Sequence, residues 1–154
     1  MELIRPELVS WPPLIDGDLT LRLAARLPAE PSLDLVPAYR FSLRLTATDE
    51  PVGQIDLRIG NTERLRRYGG HIGYGVDAPY RGRHFAARAC RLLRPVARHH
   101  GLRELWITCD PDNLASRRTC EWAGATFVEI VDVPPDSDMY LRGERQKCRY
   151  WLPL

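Results

Sequence analysis

Between Gly73 and Cys90 the chain reads GYGVDAPYRGRHFAARAC, and this stretch restricts the fold more than any other. A glycine-rich strand pattern stops at Pro79, a basic loop follows around Gly82, and an amphipathic helical pattern opens near Arg83. At such a junction the backbone amides of Arg81, Gly82, Arg83, His84, Phe85 and Ala86 have no earlier helical carbonyl to bond. They point out of the helix start, where the macrodipole also favours an anion. The expected guest is a phosphorylated cofactor. No acidic residue lies between Asp77 and Glu104, whereas Arg81, Arg83, Arg88, Arg91, Arg94, Arg98 and Arg103 all do. The whole chain carries only +2, so this excess is local and reads as a site for a polyanion. From Arg88 onward a solvated helix face is an equal alternative.

The 154 residues suit one domain spanning 1–154, long enough to bury most of its apolar surface in a single core. Hydrophobic residues at 44% and charged ones at 27% are those of a folded globular chain. The N-terminal MELIRPELVSWPPLIDGD carries acids and prolines where a signal peptide needs a basic start and an apolar core, and no run approaches membrane-spanning length. The expectation is a cytoplasmic protein with no membrane association. Cys90, Cys109, Cys120 and Cys148 are too far apart for paired zinc ligands, and His99 and His100, adjacent on a helix, point in different directions. Reduced core thiols and no metal are expected.

Residues 1–17 form an irregular lead-in rich in proline. Alternating strands are then expected at Leu19 to Ala25, Tyr39 to Ala47 and Val52 to Ile59, the last two as an antiparallel hairpin. Pro28, Pro31 and Pro37 argue against a long helix from Arg26 to Ala38. A polar loop, Gly60 to Tyr68, leads to a strand from Gly69 to Val76, whose glycines mark close approach by a ligand or another backbone. A helix from Arg83 to His100 buries Phe85, Ala89, Leu92, Leu93 and Val96, kinks at Pro95 and stops at Gly101. The next strand, Glu104 to Asp110, follows a helical crossover and so should run parallel to Gly69 to Val76. Asp112 or Asn113 caps a helix from Leu114 to Ala123, and strands at Thr126 to Val133 and Lys147 to Leu152 follow. The order is β-β-β-β-α-β-α-β-β.

These motifs resemble the GNAT superfamily of N-acetyltransferases. VDAPYRGRHFA (Val76 to Ala86) is similar to the family's acyl-CoA loop, and NLASRRTCEWAGA (Asn113 to Ala125) to its later asparagine-led helix ending in glycine. The resemblance implies an α/β protein of the α+β type: a mixed, mostly antiparallel sheet of about seven strands with a central parallel βαβ unit whose strands splay. It implies acetyl-CoA as donor and no metal. Gly75 and Val76 would take the pantetheine arm, Arg81, Gly82, Arg83, His84, Phe85 and Ala86 the pyrophosphate, and Asn113 with Ser116 the far end of the arm. The implied reaction is direct attack of a primary amine in a ternary complex, the amine belonging to a small molecule, a peptide or a protein.

Three positions depart from the family's pattern. His84 stands where glycine is usual. Cys120 stands where many relatives carry the tyrosine that reprotonates the CoA thiolate. His71 replaces an acidic residue, and its ordinary pKa near 6.5 suits a general base. His71, Cys120 and Tyr140 are therefore the candidate catalytic residues, with Tyr140 and Asp138 expected at the border of the acceptor pocket. The two helices that usually wall that pocket, between the first and second strands, are missing from Arg26 to Ala38. Either a bulky acceptor enters an open pocket, or a second subunit completes it as a homodimer.

Competing functions fare less well on the residues. Gly73, Gly75 and Ala78 satisfy a weak dinucleotide fingerprint, but Pro79 and the absence of a following acid argue against it. A nucleic-acid module using the arginine-rich helix is disfavoured by the nearly balanced charge. A non-catalytic acyl-CoA-binding regulator remains as the alternative to an enzyme.

Overall fold

The computed structural model describes residues 3–154. Strands β1 (Leu14–Asp16), β2 (Leu19–Leu27), β3 (Ala38–Leu45), β4 (Pro51–Arg58) and β5 (Ile72–Val76) form one antiparallel sheet in that order. The expected irregular lead-in thus ends at residue 13. Gly17 turns with a φ of 57°, which lets Leu14–Asp16 fold back onto Leu19 to Leu21 as a short edge strand. Between β2 and β3 the prolines permit only a single 3-10 turn, Pro31–Leu33.

Alternation explains which face of this sheet is buried. Leu19, Leu21, Phe41, Leu43, Ile55 and Leu57 all lie inward with no exposure above 0%, the period-2 signature of a half-buried sheet. Helix α1 (Phe85–Leu92) packs across β1, β2, β4 and β5, contributing Phe85, Ala89 and Cys90 to the core. Pro95 does more than kink this helix. Without an amide hydrogen, proline fits the first turn of a helix rather than its interior, so the chain restarts at Leu93 as a separate α2 (Arg94–His99).

The C-terminal strands β6 (Glu104–Cys109), β7 (Thr126–Asp132) and β8 (Gln146–Pro153) make a second, antiparallel sheet ordered β6-β8-β7. Helix α3 (Leu114–Trp122) crosses from β6 to β7, and a short α4 (Asp138–Leu141) precedes β8. The mixed, mostly antiparallel α+β architecture is the expected one; among the described residues its eight strands lie in two sheets, and the expected parallel pairing of β5 with β6 is not formed. Their segments are joined where the His71 amide bonds Trp106 O. There Gly70, at a φ of 75°, packs so close that a Cβ would lie 3.2 Å from the carbonyl oxygen of Trp106. Beyond that point they part, and the splay opens a cleft. The expected polar loop before β5 also has structure: a π-helical turn, Leu65–Gly69, lies on β6 and β8. Among the described residues no helix is long and apolar enough to cross a membrane.

Candidate functional site

The space between the two sheets is a cleft of about 1210 Å³. Strand β5 forms one wall, and its hydrogen-bonding parity decides what it offers. The amide of Arg58 donates to His71 O at 2.8 Å and that of Asp77 to Val52 O at 2.8 Å. Residues 71, 73, 75 and 77 therefore face β4, and in an antiparallel ladder the backbone groups of Ile72, Tyr74 and Val76 must face away from it. Among the described residues that edge has no neighbouring strand, so it is a bare template for an extended polar chain. The carbonyl of Val76 already accepts from Arg81 Nε at 2.9 Å, which leaves its amide as the open donor.

The glycines of β5 do not all serve one purpose. A Cβ at Gly75 would meet nothing within 4 Å, whereas one at Gly73 would lie 3.0 Å from the Arg58 guanidinium. The neighbour at Gly73 is thus a side chain of the protein, while Gly75 has free space beside it. Gly53 is obligatory for another reason: its Cβ would strike the Gly75 carbonyl oxygen and come within 3.0 Å of Val76 Cα.

The edge leads into the loop expected to bind an anion. The Arg81 amide turns inward to Ala78 O at 3.3 Å, a correction to its expected freedom. The first bond of α1 runs from the Arg88 amide to His84 O at 3.0 Å, so the amides from Gly82 to Ala87 precede it and have no helical acceptor. Gly82 takes a φ of 87° and His84, at the helix N-cap, a φ of 60°. Histidine is here held in the left-handed region that glycine would occupy without strain. Arg81, Gly82, His84, Phe85 and Ala86 all line the cleft, with Gly75 and Val76 before them and Asn113 and Ser116 opposite. Arg83 does not, its guanidinium lying 5.6 Å from the centre of the Tyr80 ring.

The opposite wall is α3. Asn113 rather than Asp112 caps it, its side chain accepting from the Ser116 amide at 3.1 Å. Ser116 Oγ lies 2.6 Å from Tyr74 Oη, a bridge from β5 to α3 at the inner end of the cleft. Burial, with Cys120 nearby, pushes the Tyr74 phenol well above its ordinary pKa, so it stays protonated. Tyr74 escaped the sequence analysis; its only sign there was a large polar-tipped residue between Gly73 and Gly75.

None of the three expected catalytic side chains lines this cleft. His71 is wholly buried. Its Nε2 donates to Gly60 O at 3.0 Å and its Nδ1 accepts from the Trp106 amide at 2.8 Å. These bonds require the neutral ring, and burial lowers its pKa to about 4. Both nitrogens are occupied, so His71 has no lone pair to offer an acceptor amine. Cys120 is also fully buried, its thiol pushed upward by its hydrogen bond to Cys109 and by burial. It is a core thiol, as are Cys90 and Cys148, whereas Cys109, also buried and free, lines the cleft. Tyr140 lies under the Arg145 guanidinium at 3.7 Å, while its neighbour Asp138 does reach the cleft rim and pairs with Arg64 at 2.9 Å.

The side chains of Asp56, Asp110 and Glu144 line the cleft instead. Asp56, on β4, holds Arg40 through two bonds of 2.9 Å. Across the cleft, Lys147 joins Asp110 at 3.0 Å and Glu144 at 2.5 Å. The arginines of α1 and α2 divide by partner: Arg88 is held by Asp16 and Asp18 at 2.9 and 2.7 Å, and Arg91 donates to Trp122 O. Among the described residues no cluster of three or more His, Cys, Asp or Glu is placed to hold a metal ion.

A family model described as "Acetyltransferase (GNAT) domain" matches residues 5–126. Among solved structures, an acetyltransferase from Agrobacterium tumefaciens superposes with a TM-score of 0.65 at 22% identity, over 96% of this chain and 98% of that one. A ribosomal-protein-S5-alanine acetyltransferase from Vibrio fischeri gives 0.58 at 16% identity, over 75% and 61%. The microcin C7 self-immunity acetyltransferase MccE, solved with acetyl-CoA and AMP, gives 0.59 at 18% identity, over 76% and 61%. This chain thus spans about three-fifths of the latter two, and at these identities the likeness is one of fold. No curated protein sequence matches the chain.

Proposed function

The chain belongs to the GNAT acetyltransferase family, and we propose that it moves the acetyl group of acetyl-CoA to a primary amine by direct attack in a ternary complex. The observation that carries this reading is the continuity of the open β5 edge at Tyr74 and Val76 with the unbonded amides that open α1. An extended amide-bearing arm and a pyrophosphate need those two features in that order. MccE, of the same fold, was solved with acetyl-CoA. Bound there, acetyl-CoA supplies an acyl group activated as a thioester.

The residues at the inner end divide the remaining work. Tyr74 and Ser116 keep a proton at Ser116 Oγ, available to the departing sulfur and replenished through the 2.6 Å contact. Asp56 lines the cleft opposite Gly73, where a carboxylate holds an acceptor ammonium and takes its proton as it attacks. The short Pro31–Leu33 turn stands where walls would otherwise rise, so the acceptor end is open enough for the terminus of a peptide as well as a small amine. Ligand linkage tests the donor: acetyl-CoA at a hundred times its dissociation constant should stabilise the fold by about 2.7 kcal/mol. Absence of any thermal shift rejects the proposal. A thiol-release assay against amines and peptide N-termini then separates an enzyme from an acyl-CoA-binding regulator.

A further inference from the structure

His84 occupies a left-handed position at a φ of 60° without a side-chain capping bond, a conformation that is strained for a residue with a Cβ. Such strain persists only where something else holds it. The imidazole does not turn to the helix amides. It packs on Trp122, with ring centroids 4.2 Å apart and planes 37° to one another. Trp122 ends α3 and is 55% exposed, a large apolar surface for a residue of this size to leave in water. Both rings line the cleft at its outer end, and so does Arg118, one turn before Trp122 on α3.

We propose that His84 and Trp122 form a stacking platform for the adenine base of the CoA nucleotide, with Arg118 as the cation beside its phosphates. This rests on the donor assignment above. A pyrophosphate seated on the amides from Gly82 to Ala87 and a pantetheine arm running inward along β5 leave one direction for the adenosine, outward past the His84 N-cap. The surface met there is the aromatic pair. Stacking on an exposed ring suits a purine, whose faces are apolar and whose edge remains hydrated, and an imidazole already seated on the indole widens the platform. The strained histidine then has a role that glycine could not fill.

Titration calorimetry on the whole protein with CoA, 4′-phosphopantetheine and adenosine 3′,5′-bisphosphate tests this. Trp122→Ala is expected to weaken CoA about tenfold or more, the usual effect of losing one base-stacking ring, and to leave 4′-phosphopantetheine unchanged. Adenosine 3′,5′-bisphosphate is expected to bind the wild type and to lose affinity in the variant. His84→Gly serves as the second variant, because it relieves the left-handed strain and keeps the backbone amide. It is expected to raise the melting temperature while lowering affinity for the two adenine ligands alone. Equal CoA affinity in wild type and both variants overturns the platform, as does an equal loss for 4′-phosphopantetheine. No CoA binding by the wild type overturns the donor assignment itself, and the platform with it.

Discussion

The Nδ1 of His71 accepts a hydrogen bond from the backbone amide of Trp106 at 2.8 Å, and the His71 amide returns one to Trp106 O at 2.7 Å. This reciprocal pair joins the two sheets at the foot of the cleft, and the ring's other nitrogen secures Gly60 on the far side. A side chain whose type suggests a catalytic base is thereby a strut that sets where β5 and β6 begin to diverge.

Removing the strut should cost stability rather than chemistry. His71→Ala leaves the part-buried Trp106 amide and Gly60 carbonyl without these partners, each worth up to about 1–3 kcal/mol. Chemical denaturation should show the midpoint falling. The pH dependence of kcat in whatever folded fraction remains should keep its wild-type shape; loss of one limb of that profile would restore His71 as the base.

The same residue sets an acid limit on the fold. Burial, above all, holds the His71 pKa near 4, below its ordinary 6.5. Between these values the unfolded chain binds a proton that the folded one refuses, so stability is complete above about pH 6.5 and declines as pH falls toward 4. The decline amounts to about 3 kcal/mol. Unfolding free energies of wild type and His71→Gln measured across this window should converge toward low pH, since the variant has no such group to titrate.

Tyr74→Phe removes the proton source behind Ser116 while keeping the ring that packs beneath the strand. A fall in kcat of about a hundredfold is expected, the low end for loss of general acid catalysis, with acetyl-CoA affinity little changed. Ser116→Ala should match it, and the double variant should be no worse than either single one, because the two act as a unit. Additive losses would assign them separate roles.

Gly53→Ala sets a Cβ against the Gly75 carbonyl and the Val76 Cα, both of them backbone. Since neither atom can swing aside, β4 and β5 must shift, and overpacking of this kind costs about 1–3 kcal/mol. The variant should melt lower and bind acetyl-CoA more weakly, because the displaced residues are the ones that offer the open edge. Thermal shift with and without ligand reads both effects. Gly75→Ala, with open space around it, should leave the melting temperature of the free protein nearly unchanged.

Much of this molecule was legible from local patterns. Period-2 alternation placed β2, β3 and β4, and a cap at Asp112 or Asn113 with the Gly124 stop located α3, because each depends on residues a few positions apart. The loop from Arg81 to Ala86 was legible for the same reason: a proline, a glycine and a helix start are neighbours in sequence. Tyr74 and Ser116, 42 residues apart, meet only in space. The burial of His71 was equally hidden, since its acceptor from Gly60 and its donor from Trp106 lie on different segments.

The sequence by itself therefore determined the helix-start loop at one end of the cleft. Short-range backbone geometry makes a helix start with unbonded amides, and no distant residue is needed to create them. The tertiary structure decided the reacting end: which face of β5 stays open, which phenol reaches the helix, and which histidine is locked away. Those outcomes follow from the splay of two sheets, a long-range packing result in which the reciprocal contact of His71 with Trp106 ties the sheets together at the foot of the cleft.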